Sequence, residues 1–257
     1  MLISIMVIGI LFRPFATKQV FNPVMDHWKR SLGLGNPNAL GNFCFVLLLE
    51  LPLIAKKFPT PMKIILFLLV TFGLIWSDSR TPIFLYIIYL LGLLLSRKVK
   101  RSKASDILLS ITPFICLGLS LTTAYFFHFY PDRLLTIFDQ KMSNRWLQAD
   151  KFINNYPFQL FGQHLYMTSH NTLDQGYISL LLGSGILTAI YFLLLISITI
   201  YVLLKQRKTY LAIPIIMMTL YGLSESSPWV LLTNPFLSLI AILIDSSQME
   251  GSQWKDS

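Results

Sequence analysis

Long runs of apolar residues separated by short polar links dominate the hydrophobic pattern of this chain. They predict eight helical segments, over residues 1–12, 39–55, 64–76, 82–95, 107–130, 176–204, 210–223 and 228–244. Several of these runs are shorter than the ~20 residues that a helix needs to cross the ~30 Å hydrocarbon core of a bilayer. A second test of membrane insertion is therefore needed, and the positions of the basic residues supply it.

Short cytoplasmic loops of membrane proteins collect Lys and Arg. If all eight segments cross the membrane and the N-terminus is cytoplasmic, three clusters with eleven cations fall on the inner side. These cations are Lys56, Lys57, Lys63, Arg97, Lys98, Lys100, Arg101, Lys103, Lys205, Arg207 and Lys208. We therefore expect a multi-pass protein of the cell membrane with both termini in the cytoplasm, one membrane domain over residues 1–244 and a cytoplasmic tail over residues 245–257.

The composition strengthens this interpretation. Hydrophobic residues make up 54% of the chain and charged residues only 13%, whereas a soluble domain carries about 25% charged residues. The predicted fold class is thus an all-α integral membrane protein. In so apolar a chain, membrane topology explains the net charge of +9 before binding to nucleic acid does. No nucleic-acid partner is therefore expected.

Nine cations remain on the predicted outer face, more than topology alone requires, and they suggest an anionic ligand such as a phosphate. They are Arg13, Lys18, Lys29, Arg30, Arg80, Arg133, Lys141, Arg145 and Lys151.

The long outer connection over residues 131–175 is the first candidate region for function, because long connections in compact proteins usually carry function. Residues 143–153 read as a helix with Ser143 as its N-cap. Arg145 would then lie in the first turn beside free backbone N–H groups, an arrangement suited to pyrophosphate. The alternative is a basic face that touches lipid headgroups.

Upstream of this helix, apolar residues recur every four positions, at Leu134, Phe138, Met142 and Trp146. This spacing is typical of an amphipathic helix that lies on the membrane surface.

Arg80 lies in a short polar link between two apolar segments. A charge near the membrane surface or below it is costly and is a functional candidate by default. The alternative is an arginine paired with the neighbouring Asp78. His170 and Asp174, just before the sixth apolar segment, are candidate general bases, although a histidine in a loop is more often structural.

No metal or cofactor site is expected. Cys44 and Cys116 both lie inside apolar runs and read as small buried residues. The four histidines show no metal-ligand spacing.

Three regions together resemble the O-antigen polymerase and ligase family. The first runs from Arg30 through Asn38 to Gly41, the second is Ser79-Arg80 before a segment, and the third combines Ser143 to Arg145 with Pro157, Gly162 and residues 174–188. The resemblance covers roughly residues 22–200.

The ligase-type pattern of this family requires a histidine, a polar residue, nine residues, a glycine, two residues and a final Gly, Thr or Tyr. Starting at Asp174-Gln175, the glycine falls on Gly185 and Thr188 closes the pattern. Asp174 thus stands in the histidine position, which favours a polymerase over a ligase. His170 lies one helical turn upstream and could share the role.

The resemblance implies a glycosyltransferase that polymerises oligosaccharide repeat units linked to undecaprenyl pyrophosphate, at the outer face of the cytoplasmic membrane. Arg80 and Arg145 would stabilise the leaving pyrophosphate, Asp174 or His170 would accept a proton, and Arg30 and Asn38 would help to bind substrate.

The implied partners are the lipid-linked oligosaccharide, membrane lipid, and flippase and chain-length regulator proteins. Two alternatives stay open, which are ligase-type transfer of glycan to another acceptor and transport of lipid-linked sugars. Family members usually have more spans before the Arg30 region, so we also expect a chain that is short at its N-terminus, incomplete or inactive alone.

Overall fold

Helices account for most of the residues that the structure describes. The structure is a computed structural model, and it describes residues 19–22, 27–30, 37–54, 58–77, 79–96, 102–130, 136–137, 139–140, 144–166, 173–226 and 229. The chain packs as two compact units, residues 1–91 and residues 92–257.

The first unit begins with a short β-hairpin, in which β1 (Gln19–Asn22) pairs antiparallel with β2 (His27–Arg30). Gln19 lies opposite Arg30 in this register. The sequence analysis predicted no strand in this region, because a four-residue strand is too short for an alternating pattern to stand out. The fold is therefore helical with one added hairpin.

Three helices follow the hairpin, and they match the second, third and fourth apolar segments. They are α1 (Pro37–Ile54), α2 (Thr60–Trp76) and α3 (Arg80–Ser96), whose last turn extends into the second unit. α1 packs against α2.

The turn between α2 and α3 rests on Gly41 of α1. A Cβ atom at Gly41 would lie 2.4 Å from Ser79 Cβ, so only glycine allows this approach. The Ser77 hydroxyl donates to Leu74 O at 2.7 Å, and Ser79 N donates to Ser77 Oγ at 3.2 Å. These contacts fix the point at which α3 begins, and Arg80 is its first residue.

The second unit contains the remaining six described helices. They are α4 (Lys103–Ser110), α5 (Thr112–Phe129), α6 (Arg145–Asn155), α7 (Gly176–Ser184), α8 (Ile186–Lys205) and α9 (Thr209–Tyr221). α5 packs against α6, α7 and α9, while α8 packs against α4 and α9. Ala124, Ala149, Phe152, Ile178 and Leu182 form the buried cluster between α5, α6 and α7.

Two of the predicted segments are each divided into two helices, which corrects the sequence analysis. Residues 107–130 are interrupted at Ile111, and Pro113, which has no N–H to donate, lies in the first turn of α5. Residues 176–204 are interrupted at Gly185, whose φ of 86° and ψ of 160° belong to a region that only glycine occupies readily. Neither interruption changes the hydrophobicity of the run, so the apolar pattern alone missed both.

Two of the described helices, Thr112–Phe129 and Ile186–Lys205, are long and apolar enough to cross a membrane by length and composition. Four more described helices are apolar but shorter. The predicted segment 1–12, the tail 245–257 and all of segment 228–244 except Trp229 lie outside the described residues.

Candidate functional site

Arg145 is a buried arginine with an acidic partner. It shares one face of α6 with Ala149 and Phe152, and this face packs into the protein. The Arg145 residue is only 8% exposed. Its Nη2 atom lies 2.7 Å from Glu225 Oε1, and its Nη1 atom donates to the Ser224 carbonyl oxygen. Arg145 therefore belongs to a buried ion pair rather than to a solvent-facing basic surface.

The N-terminus of α6 is already capped by a carboxylate. Asp139, which is 1% exposed, accepts hydrogen bonds from Trp146 N at 2.9 Å and from Leu147 N at 3.0 Å. These are first-turn N–H groups, which a helix cannot satisfy internally. The sequence analysis expected free N–H groups beside Arg145. This expectation was wrong for Trp146 N and Leu147 N, because the Asp139 carboxylate occupies the position where a phosphate would bind.

The predicted cap residue differs as well. The helix begins at Arg145 rather than at residue 143, and its N-cap is Asn144, with a left-handed φ of 57° and no capping bond from its own side chain. Asn144 N donates to the Asp139 carbonyl oxygen at 2.8 Å. Ser143 and the predicted surface residues Leu134, Phe138 and Met142 lie outside the described residues.

Replacing Asp139 with Ala is expected to destabilise the protein by about 0.5–2 kcal/mol, the usual effect of removing a helix cap. Unfolding in detergent micelles would measure the change. Asn144→Gly is the matched control, because glycine adopts a positive φ without strain. Equal losses of stability in the two variants would contradict the capping role of Asp139.

Glu225 is a site residue that the sequence analysis missed. It follows the turn after α9 in the polar stretch Ser224–Ser227, where it is the only ionisable residue. Burial raises the pKa of Glu225, the negative charge of Asp174 raises it further, and the positive charge of Arg145 opposes both effects. A lone acidic residue between two apolar segments was the signal that could have identified it.

Asp174 is brought to Glu225 by close packing between the start of α7 and the end of α9. Gly176 N donates to Gly222 O at 3.0 Å, and the Tyr177 hydroxyl donates to Thr219 O at 3.0 Å. A Cβ atom at Gly176 would lie 2.3 Å from Glu225 O. Glycine at this position therefore permits the approach that places the two acidic residues within electrostatic reach.

Two buried polar atoms beside Gly176 have no hydrogen-bond partner among the described residues. One is Gln175 Oε1, an acceptor, and the other is Trp229 Nε1, a donor. Trp229 Nε1 lies 2.6 Å from where a Cβ atom of residue 176 would stand. Buried polar groups are normally paired, so this location has capacity for a polar ligand or water.

The other predicted site residues lie elsewhere or are not described. Arg80 is exposed at the first position of α3, Asn38 is partly buried in the first turn of α1, and Arg30 ends β2. All three belong to the first unit, whereas Arg145 and Asp174 belong to the second. His170 and Asp78, the alternative partner of Arg80, lie outside the described residues.

The site is thus a buried cation paired with Glu225, and Asp174 lies within electrostatic reach of Glu225. We call these residues the Arg145–Glu225–Asp174 cluster. Its groups can hold an anion and can transfer a proton. Among the described residues, no group of three His, Cys, Asp or Glu side chains could hold a metal ion, and Cys44 and Cys116 are buried free thiols.

No protein-family model, curated protein sequence or solved structure matches this chain.

Proposed function

We propose that this chain is a multi-pass membrane glycosyltransferase that joins oligosaccharide repeat units at the outer face of the cytoplasmic membrane. Its donor is a glycan on undecaprenyl pyrophosphate, and its acceptor is a sugar hydroxyl of a second unit. Transfer to a different acceptor, as in a ligase, uses the same donor chemistry. The support is the resemblance in sequence, the apolar helices and the Arg145–Glu225–Asp174 cluster.

The observation that carries the proposal is the buried Arg145 guanidinium, which is paired with Glu225, a carboxylate that Asp174 influences in turn. A buried cation interacts strongly with an anion because the surrounding dielectric is low. Burial raises the pKa of Glu225, so this carboxyl takes up a proton more readily than an exposed one. Protonation of Glu225 would weaken its hold on Arg145, so that the guanidinium could contact the pyrophosphate instead.

In the proposed reaction, the bond between the anomeric carbon and the pyrophosphate oxygen breaks, and the electron pair leaves with undecaprenyl pyrophosphate. The acceptor oxygen forms the new bond to the anomeric carbon and loses its proton. Arg145 stabilises the negative charge on the leaving group, which is the role that the resemblance also implies for Arg80. Asp174 or His170 accepts the proton from the acceptor hydroxyl.

The experiment uses the full chain in lipid vesicles with a defined lipid-linked oligosaccharide, and gel electrophoresis reports polymer length. Arg80→Ala and Arg145→Ala are each expected to lower the rate by about 10²–10³, the usual effect of losing one charge-stabilising donor. Lys151→Ala is the matched control, because Lys151 is an exposed cation on α6. Unchanged polymer length and rate in both arginine variants would overturn their role.

A second candidate function is transport of the lipid-linked sugar. It is favoured by the buried Glu225, whose raised pKa and proximity to Asp174 are typical of groups that exchange protons during transport. The same vesicles separate the two functions. A transporter moves the labelled substrate across the bilayer and forms no new glycosidic bond, whereas the glycosyltransferase lengthens the glycan.

A further inference from the structure

A cleft between α5 and α6 lies in the second unit and contains none of the cluster residues. Its volume is about 530 Å³, within the range of about 300–1,000 Å³ that small-molecule sites occupy. The aromatic side chains of its wall are Tyr125, Phe129 and Phe158, and each of these residues is more than 40% exposed. The Tyr125 and Phe129 rings lie 4.5 Å apart.

Three polar side chains line the same cleft and contact one another. His128 Nδ1 lies 2.9 Å from Asp150 Oδ1, and Asn154 Nδ2 donates to the same oxygen at 3.0 Å. Because His128 Nδ1 lies at hydrogen-bond distance from a carboxylate oxygen, a neutral imidazole carries its proton on Nδ1. The Nε2 atom is then an acceptor. Asp150 Oδ2 takes no part in either bond.

The chemistry of this lining selects a neutral, hydroxyl-bearing ligand. The lining residues include a carboxylate, an amide and an imidazole, which can accept and donate hydrogen bonds to hydroxyl groups. Among the described residues, the lining of the cleft contains no lysine or arginine, so an anionic headgroup would meet Asp150 without a compensating cation. Aromatic faces attract the polarised C–H groups of a sugar ring through their negative quadrupole.

We propose that this cleft, formed by Tyr125, Phe129 and Phe158 with the His128–Asp150–Asn154 group, is a carbohydrate-binding site. A sugar ring stacks on the aromatic wall, and its hydroxyls bond to Asp150, Asn154 and His128 Nε2. The identity of this sugar as part of the acceptor glycan rests on the proposed function, whereas the binding of carbohydrate rests on the cleft alone. Asp150 is five residues after Arg145 on α6, about 7.5 Å along the axis and on a different face.

The test is glycan binding by the full chain in nanodiscs, with a printed array of bacterial and simple neutral oligosaccharides as the probe. We expect the unmodified protein to bind at least one glycan. Asn154→Leu and Phe158→Ala should each weaken this binding at least tenfold. Asn155→Ala is the matched control, because Asn155 is exposed next to the cleft residue Asn154 but does not line the cleft.

Binding to no glycan would overturn the proposal, as would equal binding by all the variants. The latter result would place the glycan elsewhere on the protein. These outcomes are independent of the polymerisation assay. If the unmodified protein forms no polymer while Asn154→Leu abolishes glycan binding, the proposed function fails and the carbohydrate site stands.

Discussion

Replacement of Glu225 by Leu, with Arg145 retained, is expected to lower the free energy of unfolding by about 3–5 kcal/mol. The reason is that removing one partner of a buried ion pair leaves an uncompensated charge. The Arg145 and Glu225 side chains are only 10% and 14% exposed, so water cannot replace the lost partner. Unfolding in detergent micelles, followed by circular dichroism, measures the effect.

The double variant Arg145→Met/Glu225→Leu is the control for this prediction. Replacing both partners of a buried pair with apolar residues of similar size is often neutral or stabilising. We therefore expect the double variant to recover most of the stability that Glu225→Leu loses. A double variant as unstable as the single one would contradict the pairing as the source of the effect.

The double variant also separates a structural role of Arg145 from its proposed role in catalysis. If the pair serves folding alone, the recovered protein should polymerise glycans at the normal rate. If Arg145 stabilises the leaving pyrophosphate, the same folded protein should remain slower by about 10²–10³.

Replacement of Gly185 by Ala is expected to be comparably destabilising. The φ of 86° and ψ of 160° at this residue are strained for any side chain, at about 1–3 kcal/mol. A Cβ atom would also lie 2.4 Å from Phe161 C and 2.6 Å from Leu160 O, and overpacking adds about 1–3 kcal/mol. The expected loss is thus about 2–6 kcal/mol in the free energy of unfolding.

The contacts of the first turn of α8 add to this expectation. Ile186 N donates to Gln159 O at 2.9 Å, and Leu187 N donates to Leu160 O at 3.2 Å. A shift of Gly185 would break these bonds between α8 and the segment after α6. Loss of protection at the Ile186 and Leu187 amides in hydrogen exchange should accompany the loss of stability.

Gly118→Ala is the matched control for Gly185→Ala. Gly118 lies inside α5, and a Cβ atom there would meet nothing within 4 Å. Alanine in a helix interior is favoured over glycine by roughly 0.5–1 kcal/mol. The control is therefore expected to be neutral or slightly stabilising. Equal destabilisation at the two positions would mean that backbone strain at Gly185 is not the cause.

The helices of the first unit were predictable from the sequence because each coincides with one predominantly apolar run. The polar link at residues 77–81 predicted the start of α3 to within two residues. Ser77 and Ser79 form local hydrogen bonds that end α2. The break at Gly185 was not predicted from the apolar pattern, although the resemblance singled out this glycine. Hydrophobicity is unaffected by a change in φ, so only the backbone conformation reveals the break.

The candidate site was predictable only in part. Arg145 and Asp174 were identified as site residues, but Arg145 was expected beside free N–H groups. The burial of Arg145 could have been inferred from its shared helix face with Ala149 and Phe152. Its partner Glu225 is 80 residues away in sequence, and no local pattern joins the two.

The sequence by itself determined that the chain is mostly helical, because long apolar runs with few charges favour helices, which bond their backbone polar groups internally. The tertiary structure decided what each charge does. Asp139 became the cap of α6 through contacts with N–H groups that are seven and eight residues away. Asp174 came within electrostatic reach of Glu225 because glycine at residue 176 lets α7 approach the end of α9. Such pairings depend on distances between segments that are far apart in sequence. They cannot be predicted from the spacing of residues along one helix.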